Sequence, residues 1–166
     1  MKMIVAFCNN RGIGFKNTIP WKLKSDLKYF KKITIGKGNN AVIMGSSTFK
    51  SIPYKNNFYN RLPKRDNLIL SKRLQNNNIF NNINSLKIHC QEKKYDEIWI
   101  IGGESVYNSF INDIDELYVT RIFKNYQCDT FFPNIPSKFK LIDYSDNLNE
   151  NGIDYRYEIY KNLKIK

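Results

Sequence analysis

Asp26 is a carboxylate on the apolar side of a helical segment, Ser25-Asp26-Leu27-Lys28-Tyr29-Phe30-Lys31-Lys32-Ile33-Thr34. With about 100° of rotation per residue and Asp26 at zero, Ile33 falls at about 340°, Phe30 at about 40°, Thr34 at about 80° and Leu27 at about 100°. Lys31, Lys28 and Lys32 fall at about 140°, 200° and 240°. The lysines that could neutralise the acid therefore face away from it. A carboxylate in an apolar wall is costly unless something binds it, and desolvation raises its pKa. Groups so placed serve acid–base chemistry or hold a cationic or amidine-like ligand. The alternative is a first-turn acid complementing the helix dipole, with Ser25 or Lys24 near the cap. Such an acid has no reason to share a face with Phe30 and Ile33.

The elements that must position this acid show in the apolar pattern. Met3-Ile4-Val5-Ala6-Phe7-Cys8, Ala41-Val42-Ile43-Met44, Asn67-Leu68-Ile69-Leu70 and Glu97-Ile98-Trp99-Ile100-Ile101 are continuous runs. Runs of this kind, spaced by helix-like segments, predict parallel strands buried on both faces. Leu117-Tyr118-Val119-Thr120-Arg121-Ile122 and Tyr155-Arg156-Tyr157-Glu158-Ile159-Tyr160 read as strands of an antiparallel edge. Asn151-Gly152 is a turn dipeptide and predicts a hairpin between Phe139-Lys140-Leu141-Ile142-Asp143 and the last strand. The asparagine-rich stretch from Gln75 to Asn84 reads as a solvated connection with a short strand inside. The expectation is one mixed α/β domain spanning residues 1–166, parallel first and antiparallel last.

Composition narrows the function classes. Lysine and arginine number 27 against 15 acids, a formal charge of +12. Asparagine is enriched beside lysine although it is uncharged, and the lysines scatter, so coding bias explains the excess better than a nucleic-acid surface does. A small polyanionic ligand remains compatible with it. The aromatic content of 14% is too high for a disordered chain. His89, Cys8, Cys90 and Cys128 form no metal-ligand spacing, so no metal site is expected. Three distant cysteines argue for a reducing compartment. No apolar run approaches the roughly 20 residues of a membrane span, and the amino terminus lacks the form of a signal peptide. A cytoplasmic monomer without a membrane partner is expected.

Gly12-Ile13-Gly14-Phe15-Lys16-Asn17-Thr18-Ile19-Pro20-Trp21-Lys22-Leu23-Lys24-Ser25-Asp26-Leu27-Lys28-Tyr29-Phe30 resembles the G-I-G-x-x-N-x-[LM]-P-W-x-L-x-x-D-[LM]-x-x-F signature of the dihydrofolate reductases. Further blocks agree in order: Val42 to Gly45, Thr48 to Pro53, Arg61 to Asn67 running into Leu70-Ser71, Ile101-Gly102-Gly103 with Val106-Tyr107, and Leu117 to Thr120 followed by Asp129 to Pro133. The resemblance covers nearly the whole chain. It implies an α/β fold with an eight-stranded, mostly parallel mixed sheet, an antiparallel C-terminal edge and about four helices. It also implies NADPH-dependent reduction of 7,8-dihydrofolate to tetrahydrofolate, with a hydride added at C6 and a proton at N5.

By the same resemblance, Asp26 hydrogen-bonds the pterin's amino group and ring nitrogen, and Trp21 and Thr120 help hold an Asp–water–pterin network. The pterin and benzoyl slots are lined by Ile4, Val5, Ala6, Leu27, Phe30, Ile52, Leu62, Ile101 and Tyr107, and Arg65 pairs with the α-carboxylate of the glutamate tail. NADPH is held by Gly45, Ser46, Ser47 and Thr48, and by Gly102, Gly103, Glu104, Ser105, Val106 and Tyr107, with the two glycines joined by a cis peptide. Leu70, Ser71, Lys72 and Arg73 surround the 2′-phosphate, and Ala6, Ile101 and Thr130 complete the cofactor side. Ile13, Gly14, Asn17, Thr18 and Ile19 belong to a lid between Gly12 and Trp21, with Gly12 and Gly14 supplying flexibility.

Some positions depart from the pattern. Ser46 stands where many relatives carry a basic residue, and Phe49 replaces a frequent tryptophan, a change of packing. Glu104 must point away from the phosphate turn. The stretch from Pro53 to Asn60 is longer than in compact relatives and should enlarge the loop beside the folate tail. A reductase of the same fold acting on a ribosylaminopyrimidine is the nearest rival, and Asp26, Trp21 and Arg65 argue against it. A non-enzymatic nucleic-acid binder on this scaffold is the other.

Overall fold

The continuous apolar runs form the middle of the sheet. The computed structural model describes residues 1–53 and 60–163; the long connection expected after Pro53 falls largely at 54–59, outside the described residues. The first half of the chain runs β1 (Lys2–Phe7), β2 (Gly12–Gly14), α1 (Lys24–Ile35), β3 (Asn40–Gly45), α2 (Ser46–Ser51), β4 (Asp66–Leu70), β5 (Ile79–Phe80) and α3 (Ile83–Lys93). It continues with β6 (Glu97–Gly102), α4 (Glu104–Phe110), β7 (Glu116–Ile122), β8 (Thr130–Phe131), β9 (Phe139–Tyr144), β10 (Leu148–Glu150) and β11 (Ile153–Asn162).

Among the described residues the main sheet has nine strands in the order β10-β11-β7-β1-β6-β3-β4-β5, with β9 also pairing β11, and β2 pairs β8 in a separate ribbon. The C-terminal edge carries two strands, β9 and β10, both lying against β11, which makes one strand more than the eight implied. The structure refines two sequence expectations, both of which hold in their antiparallel pairing with β11. β7 is the seam of the sheet, because it runs parallel to β1 and antiparallel to β11. The strand entering the Asn151-Gly152 turn is β10, paired Glu150↔Ile153, and β9 joins β11 farther on. Asn151 (φ 54°) and Gly152 (φ 73°) both take left-handed backbone, as a tight hairpin turn requires.

Alternation along β1 sorts the core into two layers. Met3, Val5 and Phe7 join Leu86, Phe110, Leu117 and Phe132 on one face. Ile4 joins Val42, Met44, Phe49, Ile69 and Trp99 on the other, where Tyr29, Phe30 and Ile33 of α1 pack. Each such large side chain, fully buried, contributes about 1.5–3 kcal/mol. Phe49 is wholly buried with the Arg61 guanidinium 4.3 Å from its ring centroid, so its place is one of packing, as expected. The asparagine-rich stretch holds β5, and Asn82 caps α3 by accepting from the Ser85 N–H at 2.9 Å.

Candidate active site

The helix face read from the sequence is the face that is covered, except at Leu27, which lies exposed at its edge. Asp26, Tyr29, Phe30 and Ile33 are half-buried and Thr34 is buried, while Lys28, Lys31 and Lys32 are exposed. Two buried anchors, Trp21 and Leu23, fix where α1 begins. Trp21 packs with Cys8, Ile122 and Tyr155 and lies against the Tyr126 ring, centroids 5.4 Å apart. The N-cap is Leu23, with Lys24 and Ser25 next to it in the first turn. Leucine offers no acceptor, and the Glu150 carboxylate takes that part, accepting from the N–H groups of Lys24 at 2.7 Å and Ser25 at 3.0 Å. No local pattern could have announced a cap supplied from the other end of the chain.

Asp26 Oδ1 accepts a hydrogen bond from the Thr120 hydroxyl on β7 at 2.6 Å. Among the described residues the carboxylate has no cationic partner. Burial pushes its pKa above the ordinary 3.8; the Thr120 bond lowers it and the negative charge of Glu150 adds to the rise. Ile4, Phe30, Ile52, Leu62 and Ile101 gather in the layer beneath α1. Val5 turns its side chain into the opposite layer, so it can offer a ligand on this face only its backbone. Leu27 stands 60% exposed beside Asp26. Ala6 is half-buried near Trp21 and Tyr157.

Arg65 lies at the other end of the same helix. Its guanidinium donates from Nη1 to Thr34 Oγ1, Nε is buried without a partner among the described residues, and burial lowers its pKa to about 10. Beside it opens a 260 Å³ cavity lined in part by Asn39, Asn40, Lys64 and Asp66. A second cavity of 350 Å³, near Met1, Lys2 and Asp115, also lies at the N-terminal ends of the strands, away from Asp26.

On the other side of the sheet's C-terminal end, two glycine turns meet. Gly45 precedes α2, and a Cβ there would lie 3.2 Å from Val106 and 3.9 Å from the Gly103 nitrogen. A Cβ on Gly103 would lie 3.1 Å from Thr48 Oγ1. The Gly102-Gly103 peptide is cis, as the resemblance implied. Gly102 (φ 113°) lies over the Tyr107 ring, whose buried hydroxyl donates to the Ile4 carbonyl at 2.9 Å. Ser46, Thr48 and Glu104 are half-buried, and Ser47 and Ser105 exposed, along these turns. At the end of β4, Leu70 is half-buried, Ser71 Oγ accepts from the N–H groups of Arg73 and Leu74, and Lys72 and Arg73 are exposed. This cradle, bare of side chains at its centre and basic at its rim, fits a dinucleotide with an extra phosphate.

The segment expected to act as a lid is tied at its base. Gly12 pairs with Phe131 and Gly14 with Thr130, and Phe15 and Thr18 close a tight turn through Lys16 and Asn17. A Cβ on Gly12 would lie 2.3 Å from Cys128 Sγ, and one on Gly14 would lie 2.7 Å from Thr130 Oγ1. The glycines here give room for close approach, while left-handed backbone falls on Arg11, Lys16 and Asn17. Ile13 is half-buried and Ile19 is 59% exposed.

A dihydrofolate reductase family model matches residues 1–162. The chain belongs to the dihydrofolate reductase family. It is 34% identical to the dihydrofolate reductase of Drosophila melanogaster over 175 residues, covering 95% of this chain and 94% of that one. It is 40% identical to the viral dihydrofolate reductase of Saimiriine herpesvirus 2 (strain 488), covering 98% and 85%. It is 38% identical to the dihydrofolate reductase of Sus scrofa, covering 97% of each. This reductase is thus an oxidoreductase of folate metabolism, converting dihydrofolate to tetrahydrofolate with NADPH as the reductant. No helix among the described residues is long and apolar enough to cross a membrane.

Proposed function

We propose that Asp26 is the acid that receives the pterin, and that α1 measures the substrate from ring to tail. The observation that carries this is a half-buried carboxylate bonded to one neutral hydroxyl, Thr120, inside an apolar wall. Its remaining lone pairs suit a planar heterocycle presenting an amino group and a ring N–H side by side, since charge-assisted paired bonds offset the cost of desolvation. Thr120 holds the carboxylate in one orientation, and Trp21 closes the site beside it. Asp26 sets the charge next to the ring, and water carries the proton to N5.

From Asp26 to Thr34 is eight residues, about 12 Å of helix. Arg65, bonded to Thr34, therefore stands about one pterin–benzoyl length from the acid. Its buried, unpartnered Nε supports a role in taking the α-carboxylate of the tail. Ile4, Phe30, Ile52, Leu62 and Ile101 form the apolar slot between, with Leu27 at its edge.

When bound, NADPH supplies the hydride. Gly45, Ser46, Ser47 and Thr48 would hold one phosphate group and Gly102 to Tyr107 another, with the exposed Lys72 and Arg73 selecting the 2′-phosphate beside Ser71. Ile13 to Ile19 and Thr130 would exclude water from the reacting face. Both halves of the site come from one sheet, which supports action as a monomeric single domain. Free Cys8, Cys90 and Cys128 support a reducing, cytoplasmic setting.

The experiment is Asp26→Asn, followed by NADPH oxidation with dihydrofolate. Turnover should fall at least about 100-fold, with NADPH binding, followed by fluorescence titration, unchanged within about twofold. Wild-type rates in this variant would remove Asp26 from the mechanism.

A further inference from the structure

Glu150 reaches α1 from 126 residues away. It ends β10, next to the Asn151-Gly152 turn, and each of its carboxylate oxygens accepts from one N–H of the helix's first turn, Oε1 from Lys24 at 2.7 Å and Oε2 from Ser25 at 3.0 Å. The N-terminal N–H groups of a helix need acceptors from outside it, and Leu23 supplies none. The residue after Ser25 is Asp26. A closed circuit of bonds joins them: Asp26 to Thr120, Thr120 across the ladder to Tyr157 on β11, β11 to β10 through Ile153↔Glu150, and Glu150 back to Ser25.

We propose that Glu150 is a positioning residue for Asp26: by holding the first turn of α1 onto the C-terminal hairpin, it fixes the carboxylate against Thr120 for pterin recognition. The proposal rests on the reading that Asp26 receives the pterin. Glu150 is half-buried at the outer edge of the sheet and bonds backbone, so its action on the substrate passes through the helix. Two effects follow, one mechanical and one electrostatic. The backbone N–H of Ser25 holds the Glu150 carboxyl below its ordinary range, so it is ionised and disfavours a second negative charge at Asp26. The other titratable groups that interact with Asp26 are Tyr29 on α1 and Tyr157 on β11, both pushed up by burial, with Tyr118 on β7 behind Tyr29, while Lys24 lies with Glu150.

Steady-state kinetics of the full chain and of two variants separate these effects. Glu150→Gln keeps an oxygen acceptor and removes the charge; Glu150→Ala removes both. In Glu150→Ala, kcat/KM for dihydrofolate should fall about tenfold, while KM for NADPH stays within about twofold. Glu150→Gln should restore most of that loss at neutral pH. The reaction takes up a proton, so its rate falls once pH passes the pKa of the site acid. In both variants this alkaline fall should move to lower pH, and the difference from wild type should shrink in high salt. A lower melting temperature with wild-type dihydrofolate kinetics and pH profile would make Glu150 a structural cap only and overturn the proposal. A parallel rise of both KM values, in either variant, would also overturn it. If Glu150→Ala does not fold, the pH profile of Glu150→Gln decides. A wild-type chain that oxidises no NADPH with dihydrofolate defeats the underlying reading instead.

Discussion

Glu158 and Thr120, the partner of Asp26, occupy neighbouring rungs of the β7–β11 ladder. Thr120, which bonds Asp26, stands opposite Tyr157, and Glu158 stands opposite Val119. Glu158 is 3% exposed and fully engaged: Arg156 donates to Oε1 from Nε at 2.7 Å and Nη2 lies 2.6 Å from it, while the Tyr160 hydroxyl donates to Oε2 at 2.7 Å. Asp26 has the Thr120 hydroxyl and no cation among the described residues. Burial therefore does not by itself mark a carboxylate as functional. The Glu158 pair is complete without a ligand, whereas Asp26 still lacks the partner that its burial calls for.

The comparison breaks most visibly in a pair of amide substitutions. Asp26→Asn should remove most activity, while Glu158→Gln should leave kcat/KM within about twofold and lower the free energy of unfolding by about 2 kcal/mol in urea titration. Asp26→Asn should act oppositely on stability. Because burial raises the folded-state pKa of Asp26 above 3.8, the native protein binds more protons than the unfolded chain between those two values. Stability is then lost as pH rises across that window. The asparagine variant escapes the loss, so the unliganded protein should melt a few degrees higher than wild type at neutral pH. Equal melting behaviour of the two variants would erase the distinction between the carboxylates.

Thr120→Val sharpens it. Without the hydroxyl the ionised form of Asp26 loses its bond, so the pKa rises further and the alkaline fall of the rate should move to higher pH, opposite to the Glu150 variants. At neutral pH kcat/KM should drop about tenfold. The smallest effect belongs to the rim: Lys72→Gln with Arg73→Gln should reduce the preference for NADPH over NADH by about fivefold, since exposed charges are screened. Unchanged cofactor preference would take both residues out of the 2′-phosphate site.

The central strands were legible because helices cover both faces of a parallel sheet, which leaves unbroken apolar runs such as Ala41 to Met44. The Asp26 face was legible because helical periodicity is local, and Thr34 already lay on it, although nothing in the pattern announced its bond to Arg65. The antiparallel pairing of β7 with β11 was legible, but its parallel pairing with β1 was not, because a strand shared between parallel and antiparallel neighbours has no signature of its own in side-chain alternation. Glu150 was missed for a related reason. A backbone cap donated across the fold depends on where two distant segments land, and a glutamate before Asn-Gly looks like any hairpin residue. At Gly12 and Gly14 the sequence suggested flexibility and could not show the close approach of Cys128 and Thr130, which leaves no room for a Cβ at either position.

Tyr107 touches both halves of the proposed site. Its ring supports Gly102, in the turn assigned to the reductant, and its hydroxyl grips the Ile4 carbonyl, on the strand that backs the pterin slot. This aromatic strut, beside the direct pairing of β1 with β6, ties the position of one side to that of the other. Thermodynamic linkage makes any such communication reciprocal: if the first occupant tightens retention of the second, the second tightens retention of the first by the same factor.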